Sequence, residues 1–94
     1  MKTNRIIFEG RVQGVGFRYT TLQIALGFDV IGWISNLPNG TVELVLEGEE
    51  QEVLEFIEEV TEESTLSHHI KNYTQEDIAP LENCIGFKIT KNRT

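Results

Sequence analysis

The chain has 94 residues, a formal net charge of −7 and a single cysteine, Cys84. This length allows one domain with a modest core, which we expect to extend over residues 1–94. The acidic charge argues against nucleic acid or an anionic membrane surface as a partner. The sequence shows no long apolar run, signal-peptide pattern or cysteine pair, and this favours a cytoplasmic protein.

A glycine-rich loop separates the first two predicted elements, a strand over residues 4–12 and a helix that begins at Phe17 or Arg18. The loop reads Gln13-Gly14-Val15-Gly16. Because glycine frees the backbone, we expect a tight turn with exposed N–H groups beside a helix N-terminus. Such donors and the helix dipole favour a bound anion. Arg18 is a cation in the first turn, where the dipole disfavours it, and pairing with the anion would compensate for this.

Two familiar glycine loops are excluded by their spacing. The P-loop of nucleoside triphosphatases needs four residues between its glycines and then Lys-Ser or Lys-Thr. In this chain five residues separate Gly10 from Gly16, and Phe17-Arg18 follows. The dinucleotide-binding pattern needs a third glycine where Tyr19 stands. The residues alone therefore leave two interpretations of equal weight, a small-anion site and a strand-to-helix turn without a ligand.

The remaining elements follow from hydrophobic periodicity and turn residues. In the first strand, alternate apolar residues should face the core: Ile6, Phe8 and Val12. The first helix is expected to end at Phe28, with Leu26 on the edge of its apolar stripe. The further predicted elements are strands over 31–36 and 41–48, a helix over 49–61, a strand within 68–77 and a last strand over 85–91.

This order predicts an α+β fold of the ferredoxin-like kind, a double βαβ sandwich. We expect an antiparallel sheet with two helices on one face. Pro38-Asn39-Gly40 supplies the turn between the second and third strands, because proline presets one dihedral angle and Asn-Gly tolerates positive φ.

The segment from Gly10 to Arg18, continuing to Tyr19, resembles the first signature of the acylphosphatase family. The segment Gly32-Trp33-Ile34-Ser35-Asn36 resembles the second, a Gly-Trp pair with an Asn three residues after the Trp. The spacing of the two segments also matches the family. The resemblance is close over residues 4–48, weaker over 49–63 and loose beyond.

The resemblance implies the acylphosphatase fold and the hydrolysis of acyl phosphates to a carboxylate and inorganic phosphate. It implies that Arg18 grips the phosphate and that Asn36 orients the attacking water. Backbone N–H groups of the loop would bind the phosphoryl oxygens; its residues are Gln13, Gly14, Val15, Gly16, Phe17 and Arg18. We expect no cofactor and a monomer.

The chemistry of an acyl phosphate agrees with so small a site. The leaving group is a carboxylate whose conjugate acid has a pKa of about 4, so it departs without a general acid. Phosphoryl transfer mainly requires positioning and charge stabilisation. No residue beside the motif is an obvious base, so a phosphate oxygen of the substrate would take the proton from water.

Other interpretations remain open. The same fold could serve as a non-catalytic phosphate-binding or regulatory domain, with Arg18 solvated and Asn36 bonded to its own turn. Modules that handle carbamoyl phosphate in hydrogenase-maturation proteins carry Pro after the motif arginine, whereas Tyr19 stands here. An RNA-binding domain would need aromatic residues within a basic strand, whereas the third strand here is rich in Val, Leu and Glu.

His68 and His69 could suggest a metal site. Adjacent residues of a strand point to opposite faces, and no Cys or His lies at a ligand spacing from this pair, so we expect no metal.

Overall fold

The computed structural model describes residues 1–91 of the chain. Residues 92–94, the end of the domain expected over 1–94, lie outside the described residues. The elements in chain order are β1 (Lys2–Gly10), α1 (Phe17–Ala25), β2 (Val30–Asn36), β3 (Val42–Gly48), α2 (Glu50–Glu58), β4 (Ile70–Asp77) and β5 (Phe87–Ile89). A π-helical turn, Glu59–Glu63, extends α2, and a 3-10 helix, Thr65–His69, precedes β4.

The strands form one sheet in the order β4-β1-β3-β2-β5. The pairings of β1 with β3, β1 with β4 and β2 with β3 are antiparallel, whereas β2 and β5 are parallel. The predicted ferredoxin-like α+β arrangement is confirmed. The sheet as a whole is mixed, because the chain returns after β4 to the start of β2, where the N–H of Gly32 donates to the carbonyl of Gly86 at 3.0 Å.

One hydrophobic core lies between the two helices and one face of the sheet. The predicted inward residues of the first strand and the segment after it, Ile6, Phe8 and Val12, are all buried. Phe56 of α2 lies between the rings of Phe28 and Phe87, with centroid distances of 5.4 Å and 5.8 Å. The same core contains Phe17 and Ala25 of α1, so both helices pack on one face of the sheet.

This topology places the ends of β1 and β2 together. Both strands are antiparallel to β3, which lies between them, so they run in the same direction. Their last residues, Gly10 and Asn36, therefore lie at the same end of the sheet. The loop that follows β1 and the turn that follows β2 leave the sheet at this end.

Some boundaries differ from the prediction. Helix α1 ends at Ala25 rather than Phe28, because the N–H of Leu26 bonds the carbonyl of Gln23 at 3.3 Å and tightens the last turn. Leu26 is consequently 76% exposed and does not belong to the apolar stripe.

His68 and His69 lie in the 3-10 helix rather than in a strand, so the argument from opposite strand faces does not apply to them. The fourth strand begins just after this pair and lies within the predicted range. No helix within residues 1–91 has the length and hydrophobicity needed to cross a membrane.

Candidate active site

The loop between β1 and α1 has the left-handed backbone that its glycines favour. Gly14 and Gly16 have φ angles of 78° and 77°. A Cβ atom at either position would meet no atom within 4 Å. Both positions thus combine a conformation that side chains rarely adopt with open space in front of the backbone.

Gly16 is the N-cap of α1, and within the described residues no side chain caps this helix end. The first turn carries no acidic residue, and the first helical hydrogen bond joins the N–H of Thr20 to the carbonyl of Gly16 at 3.0 Å. The earlier N–H groups of a helix have no intrahelical partner. This end of α1 therefore offers donors and a positive dipole end to an anion.

Arg18 lies in the first turn of α1 and is partly buried. Among residues 1–91 it forms no ion pair and no side-chain hydrogen bond. Arg5 is different, because its guanidinium contacts Glu43 at 2.6 Å and Glu76 at 3.1 Å. The hydrogen bond to Glu43 is the main cause of the raised pKa of Arg5. Arg18 thus carries a positive charge that the described residues do not balance.

Asn36 is the last residue of β2. Its Oδ1 atom is buried and accepts no hydrogen bond from the described residues. A buried acceptor left without a partner costs about 1–3 kcal/mol. Asn36 therefore keeps an acceptor atom that no described residue uses.

These groups meet in one pocket of about 170 Å³. Its lining residues are Val12, Gly14, Gly16, Phe17, Arg18, Tyr19 and Asn36. The structure thus brings together Arg18, Asn36 and part of the predicted loop, whereas Gln13 and Val15 do not line the pocket. Tyr19 also lines the pocket and is 68% exposed.

The Gln13 side chain has a contact that sequence reasoning missed. Its Nε2 atom donates to the carbonyl of Leu37 at 2.9 Å and to that of Thr41 at 2.8 Å. Both acceptors are backbone atoms of the turn after β2, and a backbone carbonyl leaves no signal in residue identity. The one signal in the sequence is a side-chain amide directly before Gly14.

A larger pocket of about 550 Å³ lies at the opposite end of β1, beside the start of α2. Its lining includes three carboxylates, Glu49, Glu50 and Asp77. Its lysine, Lys2, is already paired with Asp77 at 3.2 Å. This pocket does not suit an anion, so its size does not make it the better candidate.

The described part of the chain, residues 1–91, contains no group of three or more His, Cys, Asp or Glu side chains arranged to hold a metal ion.

The comparisons with known proteins agree with the resemblance in the two motifs. The family model for acylphosphatase matches residues 4–89. The acylphosphatase of Lactobacillus gasseri is 33% identical over 89 residues, which cover 95% of this chain and 98% of the relative. That of Thermoplasma volcanium is 47% identical over 57 residues, 61% of this chain and 63% of the relative, so this match spans less than two thirds of the relative's length.

A solved structure shows the same similarity in three dimensions. The crystal structure of acylphosphatase from Bacillus subtilis has a TM-score of 0.85 to this chain at 37% sequence identity. The superposition covers 96% of this chain and 99% of that one.

Proposed function

Because this chain belongs to the acylphosphatase family, we propose that it hydrolyses the carboxyl-phosphate bond of small acyl phosphates. The products are a carboxylate and inorganic phosphate. The observation that carries the proposal is that one pocket is lined by Arg18, the N-terminus of α1 and Asn36. Within residues 1–91, Arg18 has no ion pair, this helix end has no side-chain cap, and Oδ1 of Asn36 has no hydrogen-bond partner.

The phosphoryl group binds between Arg18 and the backbone N–H groups of the loop. The guanidinium offers N–H donors in a planar fork that matches two phosphate oxygens. The loop glycines leave the backbone uncovered, and the helix dipole adds positive potential. These groups stabilise the charge on the phosphoryl oxygens throughout the transfer.

Asn36 orients the water that attacks phosphorus. Its Oδ1 accepts one hydrogen of the water and directs the oxygen lone pair toward the phosphoryl group. The water oxygen forms a bond to phosphorus. The bond from phosphorus to the acyl oxygen breaks, and its electron pair stays on the departing carboxylate. A phosphoryl oxygen of the substrate takes the proton. Arg18 and the amides supply the positive charge, so we expect turnover without added metal.

The test is steady hydrolysis of benzoyl phosphate in the presence of a metal chelator, followed by loss of ultraviolet absorbance. The wild type should complete many turnovers. Asn36→Ala should lower kcat by about 100-fold, because the water loses its orientation. Inhibition by inorganic phosphate should be nearly unchanged in this variant, since Arg18 and the loop remain.

Asn72→Ala is the matched control, because Asn72 is an exposed asparagine of β4 outside the pocket and should keep the wild-type kcat. A folded wild type that binds phosphate without turnover would contradict the proposal. That result would instead favour the non-catalytic anion-binding domain.

A further inference from the structure

We propose that Gln13 is a positioning residue whose side chain holds Asn36 at a fixed distance from the glycine-rich loop between β1 and α1. The inference rests on the acylphosphatase activity proposed above and adds a residue to it. Gln13 belongs to the loop by sequence, yet its side chain is bonded to the turn that follows Asn36 rather than placed in the pocket.

The amide group of Gln13 uses its full donor capacity on this turn. A side-chain amide nitrogen carries two hydrogens, and here one acceptor is the carbonyl of Leu37 and the other that of Thr41. Leu37 is bonded directly to Asn36 in the chain. The amide therefore bonds the Leu37–Pro38 peptide unit, one residue beyond the residue that orients the water.

The turn closes around the same two carbonyls. The N–H of Leu37 donates to the carbonyl of Thr41 at 2.9 Å, and the N–H of Gly40 donates to that of Leu37 at 3.1 Å. Gln13 adds a second donor to each carbonyl. Over residues 1–91 its side chain makes the only hydrogen bonds between the loop 11–16 and the turn 37–41.

This link matters because phosphate and water are held by different segments. The loop and α1 hold the phosphoryl group, whereas the end of β2 holds the water. In-line attack requires the two segments to keep their separation, and a misplacement of about 1 Å can cost about 100-fold in rate. Without the amide, the turn loses two hydrogen bonds while Arg18 and the loop N–H groups remain in place.

Gln13→Met tests the proposal, since Met has a similar length and no donor. We expect kcat for benzoyl phosphate to fall about 10- to 100-fold, with the inhibition constant of inorganic phosphate little changed. Gln23→Met, at an exposed position of α1, is the matched control and should keep the wild-type kcat.

A second readout separates positioning from general loosening of the loop. If Gln13 acts through Asn36, adding Gln13→Met to Asn36→Ala should not lower kcat further. An equal fold-loss in both backgrounds would overturn the proposal, as would an unchanged kcat in the single variant or an equal loss of phosphate binding and kcat.

Gln13→Asn decides the matter if the Met variant does not fold, as judged by circular dichroism. It keeps the amide but is one methylene too short to bond both carbonyls, so kcat should again fall while phosphate binding remains. Wild-type kcat in this folded variant would overturn the proposal. No turnover in the wild type would instead refute the acylphosphatase activity itself, so the two failures are distinguishable.

Discussion

Two arginine side chains of this protein differ in whether a carboxylate compensates their charge. Arg5 and Arg18 are both arginines near the start of the chain. Arg5 is neutralised by Glu43 and Glu76 on the outer face of the sheet. Arg18 has no carboxylate partner among residues 1–91 and lines a pocket. An arginine held in this way is suited to bind an anion, because its charge is not already compensated.

Arg18→Ala should weaken inhibition by inorganic phosphate about 10- to 100-fold, since charge-assisted hydrogen bonds contribute roughly 1.5–3 kcal/mol. The variant should also lose kcat, because the transition state carries the same oxygens. Isothermal titration with phosphate measures the first effect and benzoyl phosphate hydrolysis the second. Arg11→Ala, an exposed arginine outside the pocket, is the control. Wild-type phosphate affinity in Arg18→Ala would exclude the arginine from the site.

Gly16→Ala should lower the free energy of unfolding by about 1–2 kcal/mol, because the left-handed φ of 77° disfavours a Cβ. The space around it is open, so the loss comes from backbone strain and not from a clash. Gly27→Ala is the matched control, since Gly27 lacks a positive φ and its added Cβ would have only an ordinary contact, 3.5 Å from the Ile24 carbonyl. Urea denaturation of both variants measures the difference, and equal stabilities would contradict the strain.

At the scale of elements, β3 shows how one strand serves two environments. Val42, Leu44 and Leu46 face the core, whereas Glu43 and Glu47 lie on the outer face and accept hydrogen bonds. Oε1 of Glu47 accepts from the N–H of Leu81 at 2.8 Å and from the hydroxyl of Thr3 at 2.7 Å. The carboxylate thus joins β1, β3 and the segment after β4.

These two hydrogen bonds, first that of Leu81, lower the pKa of Glu47 below its ordinary value of 4.5. A carboxylate whose pKa is lower in the folded state than in the unfolded state stabilises the fold at pH values above its unfolded-state pKa. This stabilisation is lost as the pH falls through the folded-state pKa. Glu47→Gln should therefore lose less stability than the wild type between pH 7 and pH 3, as measured by urea denaturation. Glu63→Gln, an exposed carboxylate of the π-helical turn, should follow the wild-type curve. A parallel loss in Glu47→Gln would show that these bonds do not contribute to acid stability.

At the scale of the whole molecule, the aromatic cluster around Phe56 joins helix α2 to the sheet. Phe56 is fully buried against Phe28, which follows α1, and Phe87 of β5. A domain of this size has a free energy of unfolding of only about 5–10 kcal/mol. One such contact is therefore a large part of the total.

Phe56→Ala should lower the free energy of unfolding by about 3–5 kcal/mol, from the lost apolar burial and the cavity left behind. Leu54→Ala, on the same helix but 45% exposed, should cost far less. Thermal unfolding followed by circular dichroism compares the two. The kcat per folded molecule should remain that of the wild type, because Phe56 does not line the pocket. Equal melting temperatures for the two variants would contradict this account of the core.

Charge is also distributed unevenly over the molecule. The net charge of −7 coexists with a pocket whose charged side chain is an arginine. A small anion can bind because the nearby groups act over a few ångströms, whereas distant carboxylates are screened beyond about 10 Å.

The monomeric state remains a prediction, which sedimentation velocity can test.

Local patterns in the sequence determined much of this protein. Hydrophobic alternation indicated the strands and their inward residues, and the glycines of the loop indicated a tight turn with exposed N–H groups. The two motifs pointed to Arg18 and Asn36 as site residues. Local patterns were less informative at helix ends, where Leu26 is apolar yet exposed because a tightened last turn ends α1 before it.

The tertiary structure decided what depends on contacts between distant segments. The parallel pairing of β5 with β2 depends on where the chain returns, and that return is not encoded in any short window. Arg18 and Asn36 meet because β1 and β2 run the same way on either side of β3. The link from Gln13 to the turn after Asn36 appears only in the folded chain, because its acceptors are backbone carbonyls that every residue possesses.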